Sequence, residues 1–119
     1  MKPIYLPIVL VSEANARGHW STKSPRVQNQ RLAARLAVAD LLRRAQPQMP
    51  VVVTLTRIAP RKLDDDNLRS AFKAVRDGVA DALGVNDGGK QVTWAYRDER
   101  RATRERAIEI VLEERVADD

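Results

Sequence analysis

Five large apolar residues in the second half of the chain recur at the spacing of an α-helix. They are Leu68, Phe72, Val75, Val79 and Leu83. Residues at this spacing form one stripe, which a helix must bury against another layer of the protein. Gly84 follows at the position where a helix end commonly adopts the left-handed conformation. The stripe therefore predicts a single helix of about 17 residues in a layered domain.

A second helix and four strands are predicted from similar patterns. The strands are expected at residues 4–11, 51–58, 91–99 and 107–114. Pro7 favours an edge position for the first of them, because proline cannot donate a backbone hydrogen bond. The other helix covers residues 26–45, with Ser24 as its N-cap and Pro25 in its first turn. The sequence thus predicts the element order β-α-β-α-β-β.

This order is typical of a small α/β (α+β) domain with a short mixed sheet and two principal helices. At 119 residues the chain is long enough for one such domain over residues 1–119. Trp94 and Tyr96 alternate on one strand face and are predicted to lie in the core. Residues 97–104 are predicted to join the last two strands as a hairpin or a loop.

The charge of the chain indicates a polyanionic partner. Lys and Arg number 21 against 16 Asp and Glu, a net charge of +5. Residues 14–50 contain seven basic residues and a single acidic residue, Asp40. Such a segment favours nucleic acid or an anionic membrane surface, although a solvated Arg-rich surface would look the same. No apolar run reaches the roughly 18 to 20 residues that span a bilayer, and we expect no membrane partner. The chain has no cysteine, which fits a reducing cytoplasm.

Three consecutive aspartates precede the stripe, and another follows it in a glycine turn. We expect Asp66 at or near the helix N-cap, where backbone amides and the helix dipole favour its charge. Asp64 would lie two residues before it on an extended approach, so both carboxylates would project to one side, with Asp65 pointing away. Two carboxylates on one side favour a hard cation such as Mg²⁺ between them.

Asp87 could join this pair only if the chain returns to it. A helix of about 17 residues is roughly 25 Å long, so either the next strand runs back along it or a partner subunit supplies Asp87. The alternative is that the aspartates only cap a helix in solvent and that Asp87 belongs to a plain turn.

The segment "LDDDNLRSAFKAVRDGVADALGVNDGGKQV" resembles the signature of RusA-type Holliday-junction resolvases, many of them carried by phages and prophages. In that family an Asp-x-Asp-Asn-Leu stretch opens a helix, and an acidic pair precedes a Gln-Val strand start. The matching residues are Asp64, Asp66, Asn67 and Leu68, then Asn86, Asp87, Gln91 and Val92. The resemblance implies that Asp64, Asp66 and Asp87 coordinate Mg²⁺. It also implies a homodimer that nicks four-way DNA junctions symmetrically in recombination and repair.

Two residues depart from the family pattern. The family lysine corresponds here to Ser70, and Asn86 stands in place of an acid. Lys73 shares a helix face with Ser70, and we hypothesise that it takes over as the catalytic, phosphate-binding lysine. The alternative for Lys73 is an ion pair with Asp77, four residues later. The competing function is a catalytically weak or inactive DNA-binding module of the same fold.

Basic and polar side chains are predicted to bind DNA, mainly through its phosphates. They are Arg17, Lys23, Arg26, Arg31, Arg35, Asn67 and Arg69. Phosphate contacts supply affinity without sequence specificity, as a structure-selective enzyme requires. Trp20 could stack on an unpaired base or close the edge of the core. His19 has no His or Cys neighbour and is expected to be a surface or hydrogen-bonded side chain.

Overall fold

The computed structural model describes residues 2–10, 25–85, 89–101 and 103–115. This part of the chain contains seven helices and strands. They are β1 (Ile4–Leu6), α1 (Pro25–Arg44), β2 (Val51–Ala59), α2 (Asp65–Ala71), α3 (Lys73–Leu83), β3 (Val92–Arg100) and β4 (Ala107–Glu114). The predicted small α+β fold and its order of strands and helices are confirmed. The second helical segment is divided into α2 and α3, and β1 is shorter than predicted because it ends before Pro7.

The four strands form one mixed sheet in the order β1-β4-β2-β3. β2 pairs in parallel with β3, with Val53 opposite Trp94, and antiparallel with β4, with Val53 opposite Leu112. A parallel pair needs a crossover from the end of one strand to the start of the next, and α2 and α3 provide it. β1 is an edge strand, as Pro7 indicates, and β3 is the other edge.

Of the two connections predicted between β3 and β4, a hairpin or a loop, the structure has the loop, because β2 lies between the two strands. The crossover fills one side of β2 with β3, so β4 can pair with β2 only on the other side. The connection therefore passes the end of β2, where the backbone N–H of Arg101 donates to the carbonyl of Ala59 at 3.1 Å.

The predicted single helix after the aspartates is interrupted at Phe72. This residue has φ −86° and ψ −1°, and its N–H donates to the carbonyls of Leu68 and Arg69 at 3.2 Å each. Its side chain is completely buried in the core. The stripe is thus buried as predicted, while the backbone between α2 and α3 departs from a regular helix.

The core lies between the helices and the face of the sheet that carries Val53 and Leu55. In register with them on β4 are Leu112 and Ile110, and all four side chains are fully buried. Gly84 ends α3 in the left-handed conformation, with φ 70° and ψ 32°, as the sequence predicts.

Gly78 permits the close approach of α3 to α1. A Cβ atom added at Gly78 would collide with the backbone carbonyl oxygen of Arg31 and lie 3.0 Å from Cβ of Ala34. We expect Gly78→Ala to lower the free energy of unfolding by about 1 to 3 kcal/mol, because the two backbones must separate. Urea denaturation at constant m-value measures this loss.

Gly84→Ala is the control for this prediction, because a Cβ there has no neighbour within 4 Å. Gly84→Ala should lower the free energy of unfolding by about 1 to 2 kcal/mol, through the strain of a left-handed backbone alone. If Gly78 had no tertiary contact, replacing it by alanine in the helix interior would instead raise the free energy of unfolding by roughly 1 kcal/mol. Stabilisation by Gly78→Ala would therefore contradict the close packing of α1 and α3.

Candidate functional site

The acidic run lies at the carboxyl end of β2, where the crossover begins. Asp64 is the N-cap of α2, with φ −71° and ψ 165°, and its carboxylate accepts from the backbone N–H of Asn67 at 2.9 Å. The Asn67 amide donates to the other carboxylate oxygen at 3.0 Å. Asp66, predicted at or near the N-cap, lies with Asp65 in the first turn of α2, and the N-cap itself is Asp64.

This shift also changes the directions of the aspartates. The shared projection expected for Asp64 and Asp66 assumed extended backbone, whereas two helical residues rotate a side chain by about 200°. Asp64, Asp65 and Asp66 are all exposed. Within the described ranges, no three His, Cys, Asp or Glu side chains form a group that could hold a metal ion. Asp87 lies outside these ranges.

A buried ion pair fixes the segment that leads into the acidic run. Arg57 on β2 and Asp98 on β3 are neighbours in register, with 3.1 Å between Nη1 and Oδ1 and side chains only 9% and 10% exposed. The other oxygen of Asp98 accepts from the backbone N–H of Leu63 at 2.7 Å. Arg57 Nη1 also donates to the carbonyl of Arg61 at 2.7 Å. The pair thus holds the backbone immediately before Asp64.

This ion pair is not among the predicted site contacts, although the alternation of the strands contains a signal for it. Asp98 continues the inward positions of Trp94 and Tyr96, and Arg57 continues those of Val53 and Leu55. A charged residue at a core-facing position on each of two strands is costly unless the two are paired. The pattern could therefore have predicted the pair once β2 and β3 were known to be neighbours.

A basic pocket of about 340 Å³ lies beside the acidic run, between the helices of the crossover and β3. It is lined by Arg69, Ser70, Lys73, Arg76 and Tyr96. The guanidinium of Arg76 lies 4.7 Å from the centre of the Trp94 ring, and its Nη1 donates to the Tyr96 hydroxyl at 2.8 Å. The guanidinium of Arg69 lies 5.6 Å from the centre of the Tyr96 ring. Cationic groups and aromatic rings thus form one concave surface.

Trp94 and Tyr96 are predicted as core residues, and this is correct only in part. Both pack against the core cluster, and the rings of Tyr96 and Phe72 are 6.0 Å apart. Both are nevertheless half-buried, because β3 is an edge strand and the arginines of the crossover cover the rings. Nothing in the strand pattern indicated that Tyr96 would line a pocket, with Trp94 stacked against one of its arginines.

Lys73 makes the ion pair that the sequence offers as its alternative. Its Nζ lies 3.4 Å from Oδ2 of Asp77, and its side chain is 71% exposed. An exposed pair at this distance contributes little stability and leaves the ammonium free to reorient. Lys73 therefore remains available to the basic pocket, with Ser70 beside it.

The basic residues of α1 differ in their surroundings. Arg31 donates two hydrogen bonds to Asp81 on α3, at 2.7 and 2.9 Å, and this hydrogen bonding lowers the pKa of Asp81 and raises the pKa of Arg31. Its guanidinium thus joins two helices. Arg35 is exposed and lies near enough to Asp81 to lower the pKa of that carboxyl further, and Arg26 is half-buried in the first turn.

Several predicted site residues lie outside the described ranges. They are Arg17, His19, Trp20, Lys23 and Asp87, together with the proposed cap Ser24 and with Asn86. The described site residues of the crossover are Asp64 at the N-cap of α2, Asp66, Asn67 and Arg69 on α2, and Lys73 at the start of α3. Arg76 and Tyr96 line the pocket with Arg69 and Lys73 and are not among the predicted site residues.

No model of a known protein family matches the chain. An uncharacterised protein of Xylella fastidiosa is 36% identical to it over 81 residues, which cover 61% of this chain and 51% of that protein. The chain thus spans about half the length of the relative it matches. In the described ranges, none of the helices is long and apolar enough to cross a membrane. The RusA-type resemblance therefore stays a prediction that depends on the residues themselves.

Proposed function

We propose that this chain is a Mg²⁺-dependent, structure-selective DNA endonuclease that resolves four-way junctions as a homodimer, as the RusA-type resemblance implies. The observation that carries the proposal is the position of the exposed acidic run at the carboxyl end of β2, directly followed by a basic pocket on the same crossover. A cation-binding group beside a phosphate-binding surface is the arrangement that phosphodiester hydrolysis needs. Such an enzyme would work on cytoplasmic DNA.

The carboxylates of the acidic run are suitable in kind for Mg²⁺. Asp66 is exposed in the first turn of α2, and Asp64 keeps acceptor lone pairs beyond the two hydrogen bonds from Asn67. Mg²⁺ prefers oxygen ligands and is commonly held by one or two carboxylates, water and substrate phosphate. The bound ion would neutralise the scissile phosphate and activate a water molecule for attack.

A third carboxylate would come from Asp87, and we propose that a second subunit supplies it. Four residues after Asp87, the carbonyl of Gln91 accepts from the N–H of Val51 at 2.9 Å, at the start of β2. Leu63, next to Asp64, donates to Asp98, which lies seven residues after Gln91 along β3, a separation of roughly 23 Å. Four extended residues cover at most about 14 Å of it. A carboxylate supplied by a second subunit is therefore the arrangement that we propose, in line with the proposed homodimer.

The remaining side chains of the site would bind the DNA backbone. Arg69 and Asn67 project from α2 near the acidic run, and Lys73 follows at the start of α3. Arg35 offers an exposed cation on α1, whereas Arg31 is engaged with Asp81. We therefore propose Arg69, Lys73 and Arg35 as phosphate contacts in the described ranges, with Arg17, Lys23 and Arg26 as further candidates.

Incubation with an end-labelled synthetic four-way junction tests the function. We expect paired, symmetric nicks in Mg²⁺, no nicks in EDTA, and no cleavage of a linear duplex that carries the same sequences. Binding should be measured in parallel in Ca²⁺ by gel shift. A chain that shifts the junction but never nicks it over a range of Mg²⁺ concentrations would instead be a binding module, consistent with Ser70 and Asn86. A chain that neither binds nor nicks at low salt would contradict both functions.

A further inference from the structure

The basic pocket has the charge of an anion-binding site. Arg69, Lys73 and Arg76 bring three positively charged groups to its lining, and Lys73 is paired with the carboxylate of Asp77. The lining also holds the hydroxyl groups of Ser70 and Tyr96. Cations together with hydroxyl donors are suited to a phosphate group, whose oxygens accept several hydrogen bonds at once.

The two arginines are held in place by aromatic rings. Arg69 stacks over Tyr96 and Arg76 over Trp94, at 5.6 and 4.7 Å from the ring centres. A guanidinium that stacks on a ring by its face keeps its N–H donors at its edge, so the exposed Arg69 can meet a phosphate in a bidentate contact. Ordering these side chains before the ligand arrives reduces the entropy lost on binding.

The Tyr96 hydroxyl is oriented to donate. Its oxygen accepts the hydrogen bond from Arg76 Nη1 at 2.8 Å. A hydroxyl group has one donor besides its acceptor lone pairs, so the O–H of Tyr96 can be directed at a ligand in the pocket. A hydroxyl that accepts from an arginine and donates to a phosphate joins the pocket wall to the anion. This gives Tyr96 a role beyond packing.

The position of the pocket suggests which phosphate it takes. Ser70 lies four residues after Asp66 on α2, about 6 Å further along the helix direction, and Lys73 follows at the start of α3. A volume of about 340 Å³ exceeds the size of one phosphate group and admits the attached sugar as well. Suppose that one phosphate of a DNA strand is held at the acidic run. A phosphate bound one helical turn away would then be its neighbour on the same DNA strand.

We propose that the basic pocket of Arg69, Ser70, Lys73, Arg76 and Tyr96 binds the phosphate group adjacent to the scissile one on the cleaved strand. This inference rests on the proposed nuclease function and adds Arg76 and Tyr96 to it. The adjacent phosphate fixes the register of the strand, so that the scissile phosphate lies at the carboxylates. Arg76 and Tyr96 are positioning residues for that strand.

Two variants test the pocket without dismantling the fold. Tyr96→Phe removes only the hydroxyl and keeps the ring that contacts Phe72. Arg69→Gln removes an exposed cation, and Arg43→Gln, at the exposed end of α1, is its matched control. Urea midpoints should confirm that all three variants fold.

Junction affinity is then measured in Ca²⁺ as a function of salt, and cleavage in Mg²⁺. We expect Arg69→Gln to weaken binding about fivefold to tenfold and to lower the slope of log K against log salt by about 1. Tyr96→Phe should weaken binding less and should shift the nick positions, because the strand register is less well fixed. Arg43→Gln should leave both affinity and nick positions unchanged.

Titration with inorganic phosphate, followed by backbone amide NMR, reports on the pocket without DNA. We expect shifts at Ser70 and Lys73 in the original chain and weaker shifts in Arg69→Gln. The pocket inference would be overturned if the protein cleaves junctions but Arg69→Gln and Tyr96→Phe behave like Arg43→Gln in salt slope and nick positions. The proposed nuclease function would be unaffected by that result. Phosphate-induced shifts in a chain that neither binds nor cuts junctions would overturn both.

Discussion

Asp66→Asn is expected to reduce junction cleavage about 100-fold or more while junction binding in Ca²⁺ stays the same or tightens. The substitution removes a negative charge from an exposed carboxylate that we propose as a Mg²⁺ ligand. Metal-ion stabilisation of developing charge contributes several kcal/mol, and about 1.4 kcal/mol corresponds to a tenfold change in rate. Binding should not weaken, because losing a carboxylate reduces repulsion of the DNA phosphates. Single-turnover cleavage of a labelled junction measures the effect.

Asp65→Asn provides a matched control for this variant. Asp65 is the preceding residue in the same helical turn, is also exposed, and undergoes the same change of charge. We expect it to keep activity within about threefold, since an exposed charge near DNA acts mainly through screened electrostatics. Asp64 is less suitable, because its carboxylate also caps α2. Full activity of Asp66→Asn would refute the metal-ligand assignment, and equal losses in both variants would indicate a general charge effect.

Mixing inactive subunits tests whether Asp87 acts across the dimer. Asp66→Asn and Asp87→Asn homodimers should each be inactive. If Asp87 of the partner subunit completes the site, a mixed dimer contains one intact site and should nick one strand. If each chain forms its own site, the mixture has no intact site and should stay inactive. The mixture therefore separates a shared site from one built within a single chain.

The second large effect is expected from Asp98→Asn, which should lower the free energy of unfolding by about 3 to 5 kcal/mol. The substitution leaves the buried guanidinium of Arg57 without a counter-charge, and an uncompensated buried charge carries this cost. It also weakens the bond that Leu63 N–H donates to Asp98. Urea denaturation measures the loss, and a destabilised loop before Asp64 should lower cleavage even where the chain remains folded.

Asp40→Asn is the control, since Asp40 pairs with Arg44 at the same distance of 3.1 Å. Those side chains are 53% and 75% exposed, against 10% and 9% for Asp98 and Arg57. The expected loss for this exposed pair is at most about 0.5 kcal/mol. If both substitutions cost the same, burial of the Arg57–Asp98 pair does not determine its contribution to stability.

Local chemistry explains how much of the fold was predictable. The stripe from Leu68 to Leu83 specifies its helical segment because side chains at that spacing share one face whatever surrounds them. Gly84 ends α3 as predicted, because a left-handed residue at this position is least costly for glycine. β4 was predicted at the residues where it is found, since its alternation of apolar and polar residues is regular.

The candidate site was predictable only where its residues are close in sequence. Asp64, Asp66, Asn67 and Arg69 lie within one short segment, so their joint position at the start of a helix followed from the sequence. The choice of N-cap did not, because each of three consecutive aspartates is a good cap. The bond from Leu63 N–H to Asp98 fixes the backbone just before Asp64, and Asp98 lies 35 residues away in sequence.

By itself, the amino-acid sequence determined the order and approximate extent of the helical segments and strands, and the place of the acidic run, because these depend on residues a few positions apart. Only the tertiary structure decided that β2 separates β3 from β4, that Arg57 meets Asp98, and that Tyr96 completes a pocket with Arg69 and Arg76. Strands pair through backbone hydrogen bonds, which are the same for every residue. The sequence of a strand therefore does not identify the strand beside it in the sheet. Contacts that depend on this pairing exist only once the sheet is assembled.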